Sequence, residues 1–140
     1  MSWLLDTCVL SEYAKKAPAP KVISWLDEQD EESLYISVIS LGEIRKGILK
    51  LRASDRRRSQ QLTAWLGKLE QRFAGRILPL DAATLYAWAQ IAAHAESAGH
   101  PLPVMDALIM ATAQCHGQTI VTRNTHDFAA YPQVLNPWSF

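Results

Sequence analysis

Four apolar runs too short for helices punctuate the chain: Trp3-Leu4-Leu5, Leu34 to Ser37, Ile77-Leu78 and Thr119-Ile120-Val121, with Val134-Leu135 a fifth candidate. Between them lie segments of helical period. Lys21 to Glu28 places Val22, Trp25 and Leu26 on one face, and a helix is expected from about Val38 to Leu51. Residues 55–73 carry Leu62, Trp65, Leu66, Leu69 and Phe73 at a sustained 3-4 spacing. Asp81 is suited to cap a helix that Gly99 closes, and a last helix runs from Val104 to His116 before Gly117. Short strands alternating with helices can bury both faces of a sheet only if it is parallel and covered on each side. The expected class is therefore α/β, a sandwich.

The only linker-like stretch, "KKAPAP" at 15–20, comes too early to separate two domains, so residues 1–140 are expected to form one. No apolar run approaches the eighteen or more residues of a membrane span. The N-terminus lacks a basic segment and Asp6 interrupts its apolar stretch, which argues against a secretory signal and for a cytoplasmic protein. Two cysteines, Cys8 and Cys115, make neither a disulfide framework nor a cysteine zinc site.

Asp6 is the residue that demands an explanation. It follows an apolar strand, and an ionised carboxylate buried without a partner is costly. Ligands in open parallel sheets gather at the carboxyl ends of strands, so its position is also a site position. Three further acids stand in comparable settings. Glu43 has Ile39 and Gly47 as its i−4 and i+4 neighbours; Asp106 is the only charge between His100 and His116; Asp127 follows the fourth strand in "TRNTHDF". Each has an ordinary reading: Asp6 as a helix cap, Glu43 as a partner of Lys46 or Lys50, Asp106 as a first-turn acid, Asp127 as a turn residue. Brought together, the four would repel one another unless a divalent cation lay among them. An all-oxygen donor set suits Mg²⁺ or Mn²⁺ rather than zinc, and such a centre supports attack of water on a phosphodiester.

The formal net charge is zero, but with those four acids set aside fourteen basic residues face ten acidic ones, so a phosphate-bearing substrate is not excluded. Arg45 and Lys46 flank Glu43 and are candidates for phosphate contact. Lys15-Lys16, Lys50, Arg52 and Arg56-Arg57-Arg58 add cations, the last run read as solvated surface charge, as is the acidic "DEQDEE" at 27–32. His94, His100, His116 and His126 show no metal spacing, and His126 reads as an exposed loop residue. Trp25, Trp65 and Trp88 fall on apolar helix faces and are expected in the core, or in a groove for a partner. The helices at 38–51 and 55–73 are the natural place for a partner helix to lie.

Taken in order, "LLDTCVLSE", "YISVISLGEIRKGI", "FAGRILPLD", "PLPVMDALIMATA", "TIVTRNTHDF" and the final "NPW" resemble PIN-domain ribonucleases, above all the toxin of VapBC-type toxin–antitoxin pairs. The resemblance runs from residue 3 to about 138. It implies a three-layer α/β/α fold with four or five parallel strands, and Mg²⁺- or Mn²⁺-dependent endonuclease cleavage of RNA. It also implies a homodimer and a small antitoxin whose C-terminal segment blocks the site. Matched position by position, Asp6, Glu43, Asp106 and Asp127 form the acidic metal-binding set, and Thr7, Thr122 and Asn124 are its polar neighbours. Cys8 departs from the pattern, since the family commonly has Asn there. Alternatives are a housekeeping PIN-domain nuclease without an antitoxin, an inactive binding module of the same fold, and an aspartyl phosphatase. The last expects a second Asp two residues after the first, where this chain has Cys8.

Overall fold

A computed structural model describes residues 1–140. Five strands, β1 (Trp3–Leu5), β2 (Leu34–Ser37), β3 (Ile77–Leu78), β4 (Thr119–Val121) and β5 (Val134–Leu135), form one sheet in the order β3-β2-β1-β4-β5. All four pairings are parallel. The chain lays β2 and β3 on one side of β1, then crosses back to lay β4 and β5 on the other. That reversal opens a crevice at the carboxyl ends of β1 and β4, the position where doubly wound sheets bind ligands.

Strand alternation sorts the core into two layers. Leu5, Leu34, Ile36 and Val121 face a cluster with Val9 and Leu10 of α1 (Thr7–Glu12), Val22, Trp25 and Leu26 of α2 (Pro20–Glu28), Ile44 and Ile48 of α3 (Val38–Leu51), and Leu66 and Leu69 of α4 (Arg56–Arg72). Leu4, Leu78 and Ile120 point the other way, onto Leu108, Ile109, Met110 and Ala113 of α6 (Val104–His116), with α5 (Ala82–Ser97) packed against α6. The result is the three-layer sandwich expected, with five strands.

Local chemistry sets the boundaries. Side chains at the N-caps satisfy free backbone donors: Ser37 accepts from Ile39 N–H, Asp55 from Arg58 N–H, and Asp81 from both the N–H and the hydroxyl of Thr84. Gly117 ends α6 at φ 61°, a left-handed conformation that a Cβ would strain. Pro20 opens α2, one residue before the expected start, because a proline at the first helical position loses no hydrogen bond.

Two expectations are corrected. Glu31 in the acidic run is not merely solvated. It pairs with Arg72 at 2.7 Å and Arg76 at 3.4 Å, while Arg76 also donates to the carbonyls of Glu31 and Leu34. The hydrogen bond from Arg72 holds the Glu31 carboxyl below the usual carboxylate range. Trp25 is buried, whereas Trp65 and Trp88 are only half-buried at the edges of the two clusters. The most deeply buried acid is Glu12, 2% exposed, which accepts the N–H of Ala19 and pairs with Lys15, so it braces the α1–α2 turn.

Candidate functional site

Asp6 leaves β1 at the crevice, its N–H bonded to the Val121 carbonyl at 2.9 Å, which ties the end of β1 to the end of β4. It is the N-cap of α1, so the capping reading holds alongside any other: Oδ1 accepts the Thr7 N–H at 2.9 Å. Its Oδ2 accepts the hydroxyl of Thr122 at 2.8 Å. Thr122, fully buried, in turn accepts the Asn124 N–H at 3.0 Å. Asp6 is 8% exposed, yet both oxygens have donors and lone pairs to spare.

Cys8 fits this arrangement rather than disrupting it. Its sulfur lies 3.8 Å from Asp6 Oδ2 and 3.5 Å from the Thr122 hydroxyl, and it accepts the Arg123 N–H at 3.5 Å. Burial pushes the thiol's pKa up, which keeps it neutral beside the carboxylate.

The other three acids arrive from separate elements. Glu43 is exposed on α3, and Thr7 Oγ1 donates to its Oε1 at 2.8 Å, so one threonine links two carboxylates. Asp106 sits in the first turn of α6, half-buried, directly before the buried run Ala107 to Ala113. Asp127 lies in the short turn Thr125–Phe128 at the exposed rim. All four line one cavity of about 300 Å³ together with Thr7, Cys8, Ser11 and Asn124. Asp106 registers the convergence: burial, and then the charges of Asp127, Asp6 and Glu43, raise its pKa above the ordinary carboxylate value.

This donor set fits a hard divalent cation. It is oxygen-rich, contains no imidazole, and concentrates negative charge that nothing else in the chain neutralises. As the side chains stand, no three of the acids are close enough together to form a metal-binding cluster. The repulsion has a measurable consequence. In chelator, Asp106→Asn is expected to melt a few degrees higher than the parent, because one of four mutually repelling charges is gone. Excess Mn²⁺ should erase or reverse the difference; a lower melting point in chelator would contradict the arrangement.

The flanking cations separate. Lys46 lines a groove of about 560 Å³ with Glu43, Gly42, Gly47 and Met105, beside the carboxylates. Arg45 does not join it: successive helical residues are about 100° apart, and Arg45 lies between α3 and α4 with Arg52 and Arg56. His126 lines a neighbouring cavity with His94, His100 and Asp127. Ser11 and Met105 are additions that the sequence reading lacked. Ser11 was accessible from spacing alone, one turn after Thr7 on α1.

Comparison with known proteins adds a second line of support. The PIN domain family model matches residues 3–133. The chain is 38% identical over 136 residues to "VapC ribonuclease Y4jK" of Sinorhizobium fredii, with 96% of each sequence covered. In the crystal structure of FitAcB from Neisseria gonorrhoeae, one chain matches with a TM-score of 0.89 at 37% identity, over 99% of both chains. A chain of a toxin-antitoxin complex from Klebsiella pneumoniae matches with a TM-score of 0.69 at 26% identity, over 97% of this chain and 98% of that one.

Proposed function

Since the chain belongs to the PIN-domain family, we propose that it is a Mg²⁺- or Mn²⁺-dependent endoribonuclease and the toxin of a type II toxin–antitoxin pair, acting as one domain over residues 1–140. The observation that carries this reading is the cavity at the β1/β4 crevice, which four acids from four parts of the chain line together. The relatives' names supply the substrate and the toxin role: a ribonuclease and a toxin-antitoxin complex.

Asp6, Glu43 and Asp106 would hold the cation, directly or through water, with Asp127 completing the site or positioning the attacking water. When bound, the ion supplies an activated water and stabilises charge developing on the phosphodiester. The chain's own groups do the rest. Thr122 and the Thr7 N–H fix the rotamer of Asp6, and the Thr7 hydroxyl fixes Glu43, so two carboxylates keep their aim as RNA enters. Asp106 and Asp127 accept no hydrogen bond from the protein and remain available to water. Lys46, on the groove beside Glu43, is placed to meet a substrate phosphate.

The antitoxin is a partner on this reading, and self-association into a homodimer is expected from the resemblance. No helix is long and apolar enough to cross a membrane. Retention of all four acids in one cavity speaks against an inactive binding module.

Two experiments test the proposal. The purified chain, freed of any partner, should cut RNA with Mg²⁺ or Mn²⁺ and stop with chelator; metal-independent cutting, or none with any RNA, would defeat it. Thr122→Val, which removes the hydroxyl behind Asp6, should lower kcat by about 10–100-fold, and Thr122→Ser should restore most of it. Equal activity in the valine variant would show that Asp6 needs no such support.

A further inference from the structure

Zero net charge conceals a segregation. Seven of the fourteen basic residues lie between Arg45 and Arg58, with Asp55 the only acid among them. The chain's ion pairs are Lys15–Glu12, Arg72–Glu31 and Arg76–Glu31, so none of the seven is neutralised. The Asp55 carboxylate is engaged as the cap of α4, accepting the Arg58 N–H at 3.0 Å.

Two cavities open onto this region from three segments of chain. One, of about 520 Å³, is lined by Lys16 from the α1–α2 turn with Asp55, Arg57, Arg58 and Gln61, and no apolar residue. The other, of about 290 Å³, lies between α3 and α4 and presents Arg45, Arg52 and Arg56 without a carboxylate. Such a gathering works against the fold. Like charges repel, and arginines in the first turn of α4 oppose the helix dipole. Arg58 alone has an internal use, donating to the Ala14 carbonyl at 3.3 Å. Violations of local preference with no internal compensation mark places where sequence serves a ligand.

We propose that this face is a second RNA-binding site, which grips the phosphodiester backbone several nucleotides from the cut. The inference rests on the ribonuclease reading. Guanidinium forks match phosphate oxygens, and the larger cavity has no apolar residue in its lining, although Ile48 and Leu49 line the smaller one, so a partner helix along α3 and α4 is the competing occupant. α3 joins this face to the carboxylates. Lys46 and Lys50 line the groove with Glu43, and Arg52 follows at the helix end. Nine residues from Glu43 to Arg52 advance about 13 Å along the helix, roughly four nucleotides at ~3.4 Å per step of one strand. A substrate must therefore extend at least about that far beyond the scissile bond to use the face.

The test combines Arg52→Gln, Arg56→Gln and Arg57→Gln, leaving Arg58 to brace Ala14. Binding of a long RNA of about 30 nucleotides is measured by fluorescence anisotropy in an Asp6→Asn background across a salt series. Cleavage is measured with Asp6 intact, on that RNA and on an oligonucleotide reaching only about two nucleotides either side of the cut. Three lost phosphate contacts should flatten the salt dependence of log K by about 2, and weaken long-RNA binding about tenfold or more at low salt. For the short substrate kcat/KM should stay within about twofold. Equal losses on both substrates, an unchanged salt slope, or intact RNA binding with loss of a protein partner would each overturn the proposal. Failure of the parent to cut any RNA contradicts the ribonuclease reading instead, and the binding arm stands apart from that result.

Discussion

Asp6→Asn is expected to abolish RNA cleavage while the protein stays folded: kcat should fall by more than about 100-fold and the melting temperature should move by no more than a few degrees. The separation follows from what each oxygen does. Oδ1 accepts the Thr7 N–H, and asparagine caps a helix as well as aspartate. Where Oδ2 accepts the Thr122 hydroxyl, an amide would donate instead, and that hydroxyl can rotate to accept. The negative charge facing Asp106 cannot be replaced so simply. Altering a group that merely supports a metal ligand costs about 10–100-fold, so removing the ligand should exceed that range. Discontinuous cleavage assays with matched circular dichroism melts give both numbers. Full activity in the asparagine variant would remove Asp6 from the site; loss of the fold would make it a structural residue.

Phe73→Ala should produce the opposite pattern, a large loss of stability with catalysis spared. Phe73 is fully buried where α4 ends, clustered with Leu66 and Leu69, and the Arg76 guanidinium lies 4.8 Å from its ring centroid. Deleting a buried phenylalanine costs about 3–5 kcal/mol, a large share of the 5–15 kcal/mol that holds a typical domain together. The melting temperature should drop by about 10 °C. At temperatures where the variant is folded, kcat should remain within about twofold, because Phe73 lines none of the site. A drop of under 2 °C would mean that the layer between α4 and the sheet contributes little.

Periodicity was a good guide wherever burial was decided within one element. Leu34–Ser37 and Val38–Leu51 have the bounds that pattern and capping predict, since Ser37 both ends the strand and caps the helix. Six-residue α1 was harder to see, because its two buried hydrophobics, Val9 and Leu10, are too few to establish a period. Asp6 and Asp106 were legible as site residues from single-chain logic, one by its place at a strand end and the other as the lone charge on a buried helix. The contact that holds Asp6 was legible only through the family resemblance: Thr122 lies 116 residues away, and the parallel pairing of β1 with β4 brings it alongside. Arg45 shows the converse error. Adjacency to Glu43 in sequence put it beside the carboxylates, whereas two helical steps turn it to the face toward α4.

The proposed chemistry requires that the carboxylates lining the crevice act together on a divalent metal. Calorimetric titration of Mn²⁺ into the metal-free protein measures this directly. Binding of an ion that is lost or weakened at least about tenfold in both Asp6→Asn and Asp106→Asn is the expected result. Binding unchanged in either variant would contradict it.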